Sequence, residues 1–281
     1  MPIPVPGRVA EALRKQTVHI QVGGRRGQST GSGVIIGPER VITNGHVIRG
    51  RSLHIEAWDG RDVSASCLKL DAHRDLALLS APGLRAEPAC LRDSDGLRAG
   101  TAVFAVGNPL GFVGAVSSGI VHAVGSFGGL AWIQADLRLA PGNSGGPLAD
   151  FHGQVLGINT MVMSGGLALA VPSRAVQSFL LRAQTGRSLG VTVRPVQLEA
   201  GRLGILILEI SAGAAAVTAS LLPGDILAGA EGRAFQSLDD LQFAIDTAPQ
   251  AVLHLDFYRG GQRNLRHVAV RLTPEQVPTA A

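Results

Sequence analysis

Short stretches of alternating apolar and polar residues dominate the first two thirds of the chain. Thr17–Val22 alternates, and Val34–Ile36 and Arg40–Thr43 flank the turn signal Gly37–Pro38. Leu53–Ala57, Val63–Leu70 and Leu76–Ser80 follow, each bounded by Gly, Asp or Pro. Thr101–Val106, Gly114–Ala123, Ala131–Ala135, Val155–Met161 and Ala168–Val171 continue the series. The segment GGRRGQSTGSG, residues 23–33, reads as a Gly-rich turn. Many short period-two segments with regular turn signals predict a β-sandwich or barrel over residues 15–172. The period then changes. Ser173–Gln184 carries Val176, Phe179, Leu180 and Ala183 at helical spacing, with Ser173 as N-cap and Gly186 as stop.

A smaller mixed module follows. Leu189–Arg194 and Gly204–Ile210 read as strands, and Pro223–Gly224–Asp225 as a turn into Ile226–Ala228. Ser237 opens a helix with Leu238, Leu241, Ala244 and Ile245 on one face, and Asp239 and Asp240 suit its positive N-terminus. Ala251–Tyr258 and His267–Leu272 are closing strands. The chain has 281 residues, room for about two domains of roughly 100–200 residues each. The expected division is a mainly β first domain over 1–184, including the N-terminal segment and the closing helix. A small α+β second domain spans 185–273, followed by a frayed tail over 274–281.

Composition narrows the function classes. The formal net charge is +4, carried almost wholly by arginine, since Lys15 and Lys69 are the only lysines. The basic residues are dispersed, with Arg25–Arg26 the only adjacent arginines, whereas nucleic-acid binding calls for a clustered basic face; no nucleic acid partner is expected. Apolar runs such as Ile205–Leu208 fall far short of the roughly 18 residues that span a bilayer, so no membrane span is expected. Met1–Gln16 has no apolar core of signal-peptide type. A cytoplasmic location is therefore expected for the chain as it stands, with a periplasmic or secreted one as the alternative if an export segment has been removed. Cys67 and Cys90 are too few for a disulfide framework and lack metal-ligand spacing; Cys67, in an alternating stretch, reads as a small core residue. Neither metal nor cofactor is expected.

The strongest chemical signal is PGNSGGPL, Pro141–Leu148. A serine hydroxyl is a weak nucleophile and needs a base, exposure and donors for the oxyanion. Gly142, Gly145 and Gly146 permit an unusual backbone around Ser144, and the N–H groups of Gly142 and Ser144 are the expected oxyanion donors. VITNGHV places His46 just after a strand, where a rigid element can aim it as the base. Asp75 heads the apolar DLALL, where an unpaired carboxylate is costly and a partner is expected. Each signal alone has a plain reading as turn, structural histidine or solvated carboxylate; their occurrence in the order His, Asp, Ser within one β region gives the catalytic reading. His19, His54, His73, His122 and His152 lack such flanks, and His254 and His267 lie in the second module. GNSGG also fits the nucleophile elbow G-x-S-x-G, but that motif requires a following helix and downstream Asp and His, and here Pro147 and a strand follow.

At these residues the chain resembles the HtrA (DegP/DegQ-like) trypsin-fold peptidases. Gly31–Ile36, Thr43–Val47, Asp75–Leu79, Gly107–Phe112, Ser117–Val121, Ile133–Leu148 and Gly157–Met161 carry the resemblance in the family's order. It implies a chymotrypsin-like double β-barrel serine endopeptidase that cuts unfolded or damaged polypeptides through a Ser144–His46–Asp75 triad and an acyl-enzyme. It also implies a PDZ domain behind the protease, with Leu189, Gly190 and Val191 as the loop that takes C-terminal peptides and Pro223–Leu227 as the PDZ turn. By the same resemblance Leu167, Ala168 and Leu169 border a closed apolar pocket for Val, Ala or Leu. Three departures stand out: Gly45 replaces the family's frequent alanine, Leu137–Ala140 differ ahead of the nucleophile, and LALAVP replaces GFAIP. A homo-oligomer, a trimer in the family, is implied, although Met1–Ile20 lacks the aromatic residues that often lock it. The alternative function is a latent protease that acts as a peptide-binding, chaperone-like protein, with the amide near Gly142–Asn143 flipped.

Overall fold

The computed structural model describes residues 6–24, 27–162, 166–260 and 264–274. Its contacts divide into two compact units. The first comprises Met1–Gly125 and Trp132–Gln177, the second Ser126–Ala131 and Ser178–Ala281.

The first unit opens with a helix that the strand-dominated pattern does not reveal, α1 (Pro6–Lys15). Val9 and Leu13 on one face are buried with Phe104, Val106 and Ala149. Seven strands then form one antiparallel sheet: β1 (Thr17–Gly24), β2 (Gly27–Gly37), β3 (Arg40–Thr43), β4 (Ser52–Glu56), β5 (Asp62–Ser64), β6 (Ser66–Asp71) and β7 (Leu76–Ser80), in the order β5-β4-β1-β2-β3-β7-β6. Val18, Ile20, Ile35, Val41, Ile55 and Leu79 fill its core.

The Gly-rich segment expected as a turn is mostly strand. Gly27 to Gly33 pair with Gly24 to Val18 in unbroken register, leaving only residues 25–26 outside the described part of that connection. The glycines serve packing: a Cβ on Gly31 would sit 2.5 Å from Val47, and one on Gly33 would sit 2.6 Å from Val41. Cys67 also departs from expectation. It is exposed on β6, an edge strand, and both Cys67 and Cys90 are free thiols.

Six further strands close into a barrel: β8 (Ala102–Gly107), β9 (Ala115–Phe127), β10 (Leu130–Asp136), β11 (Pro147–Asp150), β12 (Val155–Val162) and β13 (Ala168–Pro172). Val103, Val121, Ile133, Leu148 and Leu156 pack inside it. Helix α2 (Ser173–Thr185) follows, and the division between units falls within it, ahead of the expected boundary at 184/185.

In the second unit β14 (Arg187–Ser188) pairs with the last strand of the described chain. Along the chain come β15 (Val191–Gln197), β16 (Leu203–Ile210), α3 (Ala215–Thr218), β17 (Ile226–Ala230), β18 (Arg233–Ala234), α4 (Leu238–Thr247), β19 (Val252–Tyr258), β20 (Arg266–Arg271) and β21 (Thr273–Pro274). The main sheet runs β15-β16-β17-β19-β20, with β18 hydrogen-bonded to β17 and β15 at an edge. Helix α4 begins as its sequence predicts: Asp240 reaches back to accept from the Ser237 N–H at 3.0 Å. Leu241 and Ile245 join Ile205, Leu227, Leu253 and Leu255 in the core. Of the expected tail, residues 275–281 lie outside the described part.

Candidate active site

All three candidate catalytic residues lie in the first unit. Strand β3 buries Val41 and Ile42 and delivers the turn Asn44–Gly45–His46 at its end. Asp75 sits just before β7, where the buried run Leu76–Leu79 anchors it. Its backbone has a positive φ of 56°, a conformation that costs a non-glycine residue of order 1 kcal/mol or more unless neighbours hold it. They do: the Asp75 carbonyl accepts from Asn44 Nδ2 at 2.9 Å and from the Gly45 N–H at 3.1 Å. The carboxylate receives the His46 N–H on Oδ1 at 2.8 Å and the His46 ring nitrogen Nδ1 on Oδ2 at 2.6 Å. An ionised carboxylate only accepts, so Nδ1 carries the proton and Nε2 is left with its lone pair free to take one.

A third donor comes from the barrel. Thr160 Oγ1 donates to Asp75 Oδ2 at 2.9 Å. Thr160 is the extra residue of a β-bulge: Asn159 pairs with Ala170 and Met161 with Leu169, and the register shifts between them. A bulge bends a strand and redirects a side chain, here toward the carboxylate. Burial pushes the Asp75 carboxyl up, but the His46 ring and backbone N–H, the His46 charge and the Thr160 hydroxyl outweigh it and hold it below the usual carboxylate range.

A carboxyl depressed in this way stabilises the fold fully above its unfolded pKa, about 4, and the stabilisation is lost as the pH falls through the folded value. Thr160→Val removes one donor and moves the Asp75 pKa upward. The expected results are loss of structure at a higher pH on acid titration, read by circular dichroism, and a kcat about tenfold lower, equivalent to ~1.4 kcal/mol.

Ser144 stands in a pair of consecutive tight turns. The Asn143 N–H donates to the Ala140 carbonyl at 3.0 Å, with Pro141 second and Gly142, φ 103°, third: a type II turn. The Gly146 N–H donates to the Asn143 carbonyl at 3.0 Å, with Gly145, φ 87°, third in the next turn. No side chain fits at Gly145, where a Cβ would lie 2.0 Å from the Ser32 carbonyl oxygen. The Gly142 and Ser144 N–H groups have no hydrogen-bond acceptor among the described residues. The Ser144 hydroxyl donates to the Thr160 carbonyl at 2.8 Å, which occupies its single proton, so in this arrangement it is turned away from donating to His46.

The other sequence candidates sit as follows. Ala168 and Leu169 are buried and Leu167 half-buried at the start of β13, where Leu169 pairs with Met161 and Ala168 with Val162; residues 163–165 lie outside the described part. In the second unit Leu189 is buried in the core, Gly190 has φ 72° and donates its N–H to Ser188 Oγ at 3.0 Å, and Val191 opens β15. A Cβ at Gly190 would lie 2.2 Å from the Ala214 Cβ. Among the described residues no cluster of His, Cys, Asp or Glu is arranged to hold a metal ion. Thr160, Asn44, Asn108 and Ser32 are site residues that motif reading passes over. The bulge at Thr160 leaves no mark in GINTM, and Ser32 lies in the segment read as a turn.

The strand after Ser144 and the antiparallel pairing of β11 with β12 and β8 remove the nucleophile-elbow reading, which needs a helix there. Residues 31–158 match the family profile described as the trypsin-like peptidase domain. The chain is 30% identical over 274 residues to a probable periplasmic serine endoprotease, DegP-like, of Chlamydia trachomatis, covering 89% of this chain and 54% of that protein. It is 32% identical over 276 residues to the DegP-like protein of Ectopseudomonas mendocina, covering 90% and 58%. The chain thus spans a little over half the length of these curated relatives. Among solved structures, the HtrA-type protease AlgW with tripeptide superposes with a TM-score of 0.70 at 27% identity, covering 98% of this chain and 99% of that one. Among the described residues no helix is long and apolar enough to cross a membrane. The chain has the chymotrypsin-like double-barrel fold, matches the trypsin-like peptidase profile over residues 31–158, and is similar over nearly its whole length to the HtrA/DegP endoproteases.

Proposed function

We propose that the chain is a serine endopeptidase in which His46 takes the Ser144 proton, Asp75 holds the imidazole tautomer, and the Gly142 and Ser144 N–H groups stabilise the oxyanion. The observation that carries this reading is the clamp of His46 by Asp75, linked through Thr160 to a Ser144 turn with two unengaged N–H groups. Ser144 Oγ attacks the scissile carbonyl and His46 Nε2 receives its proton. The same imidazolium then protonates the leaving amine, giving an acyl-enzyme that water hydrolyses by the reverse proton path. The substrates are unfolded or damaged polypeptides. Exposed Met161 and Val162 continue β12 past Thr160 and offer an apolar edge to an extended chain. Leu167–Leu169 border the pocket that selects Val, Ala or Leu.

The second unit is read as a PDZ domain that takes C-terminal peptides at Leu189–Val191. Edge strand β15, the left-handed Gly190 and helix α4 support that reading, and the AlgW relative is described with a tripeptide. The relatives' names favour the periplasmic alternative over the cytoplasmic expectation.

The latent reading has one observation in its favour, the Ser144 hydroxyl resting on the Thr160 carbonyl. That contact is a single hydrogen bond with a net worth of about 1 kcal/mol, released by rotation of one side chain. The flipped amide that the latent form requires, at Gly142–Asn143, is opposed by hydrogen bonds at both ends of that peptide: the Gly142 carbonyl accepts from Ser32 Oγ at 2.7 Å and the Asn143 N–H donates to the Ala140 carbonyl at 3.0 Å. Incubation of the purified chain with reduced casein tests the proposal: cleavage after Val, Ala and Leu is expected. Absence of cleavage both with and without an added apolar C-terminal peptide would contradict it.

A further inference from the structure

We infer that Ser32, supported by Asn108, is a positioning residue for the oxyanion donors, holding the Ser144 turn in its working form from the opposite sheet. The inference rests on the reading of Ser144 as nucleophile and of the Gly142 and Ser144 N–H groups as oxyanion donors.

Ser32 lies on β2 and is fully buried. Its hydroxyl donates to the Gly142 carbonyl at 2.7 Å. The same oxygen accepts from the Asn108 N–H at 2.9 Å and from Asn108 Nδ2 at 3.1 Å. One donor and two acceptor sites are all a hydroxyl has, so its proton has a single direction. The Ser32 N–H donates to the Ser144 carbonyl at 2.8 Å, and Thr43 Oγ1 fixes the Ser32 carbonyl at 2.6 Å. One residue therefore grips the carbonyls on both sides of Asn143.

A peptide group is planar, so fixing its C=O and its N–H fixes the whole plane. The Gly142–Asn143 peptide is held at its oxygen by Ser32 and at its nitrogen by Ala140. The Ser144–Gly145 peptide is held by the Ser32 N–H and by the Asn159 carbonyl at 2.8 Å. Between them the Asn143 carbonyl is held by Gly146, which turns the Ser144 N–H the opposite way. The remaining peptide, Pro141–Gly142, carries the Gly142 N–H and is restrained through the turn closed by the Asn143 N–H on the Ala140 carbonyl. Only glycine fits at 142, where a Cβ would lie 2.6 Å from the Asn108 carbonyl oxygen and 2.9 Å from Pro109 Cα. Asn108 is itself tied to Val18 through Nδ2 at 2.9 Å and to the Gly114 N–H through Oδ1 at 2.8 Å.

Removing the Ser32 hydroxyl leaves the Gly142 carbonyl without its donor and two Asn108 hydrogens without their acceptor. The turn then samples positions in which the N–H pair no longer converges. Losing one oxyanion donor outright lowers kcat by about 10²–10³, and loosening the turn is expected to cost about 10–100-fold with KM within threefold. Asn108→Asp reaches the same point differently. It keeps the Oδ1 acceptor but offers a carboxylate to the Ser32 hydroxyl, drawing its proton away from Gly142.

The test uses the full chain in four forms: wild type, Ser144→Ala, Ser32→Ala and Asn108→Asp. The measurements are kcat and KM on an aliphatic peptide substrate, affinity for a peptide boronic acid, and affinity for the same peptide as a carboxamide. The boronate forms a tetrahedral adduct on the serine that needs the oxyanion donors, and the carboxamide does not. In both Ser32→Ala and Asn108→Asp, kcat and boronate affinity are expected to fall by similar factors while carboxamide affinity stays near wild type. Wild-type kcat and boronate affinity in Ser32→Ala, or an equal fall in carboxamide affinity, overturns the inference. Failure of both variants to fold assigns the pair a structural role and overturns it as well. The wild-type arm reads the parent assignment separately: a boronate that binds wild type no better than Ser144→Ala overturns that assignment and this inference with it.

Discussion

Ser144→Ala is expected to lower casein cleavage by about 10⁵-fold or more, because removal of the nucleophile from a triad costs roughly what removal of the whole triad costs. The fold has little stake in the hydroxyl, whose one bond is to the Thr160 carbonyl. Circular dichroism and the melting temperature are therefore expected to match wild type. Residual cleavage at wild-type rate by the purified variant would remove Ser144 from the chemistry. A large fall in melting temperature would instead show that the turn depends on the hydroxyl, against the backbone grip described above.

The second large effect is that of Asp75→Asn, expected to lower kcat by about 10⁴-fold near neutral pH. The neutral amide keeps the size of the carboxylate and its oxygen can still accept the Thr160 hydroxyl or a His46 hydrogen. It also presents an N–H₂ group, which favours the wrong imidazole tautomer and puts the proton on Nε2, where the base must be free. Electrostatic support for the imidazolium is lost with the charge. The acid limb changes as well. In wild type the carboxyl is depressed below its ordinary range, so its stabilisation is present above about pH 4 and is lost on going lower. Asn does not titrate, and the variant is expected to show a shallower loss of stability across that acid range. Activity within tenfold of wild type in this variant would remove Asp75 from the triad.

The division between what the sequence revealed and what it hid follows from the range of the interactions. His46, Asp75 and Ser144 were legible because each carries a chemistry-bearing side chain beside a turn signal, and strands before or after them are plain in the alternation. Most of the longer strands and helices α2 and α4 were legible for the same local reason, whereas β11 (Pro147–Asp150) was missed and Val63–Leu70, read as one strand, is divided between β5 and β6. Thr160 acts on Asp75 across 85 positions of sequence and Ser32 on Gly142 across 110, and no local pattern announces such a meeting. The Gly-rich segment misled because glycine marks close packing as well as turns; at Gly31 and Gly33 the β2 backbone lies against Val47 and Val41. Cys67 misled because alternation fixes which positions share a face but not whether an edge strand covers both faces. Helix α1 was hidden in a segment with only two buried apolar positions, Val9 and Leu13, whose value comes from the partner surface of Phe104, Val106 and Ala149 rather than from the segment itself.

The central claim, that Ser144 is the nucleophile of a covalent mechanism, is tested most directly by mixing the protein with an activated aliphatic ester, quenching in acid, and mapping the adduct by peptide mass spectrometry. The account predicts one acyl group on the peptide containing Ser144, and none in Ser144→Ala. Turnover of the ester with no adduct at Ser144, or an adduct on another residue that persists in Ser144→Ala, would contradict it.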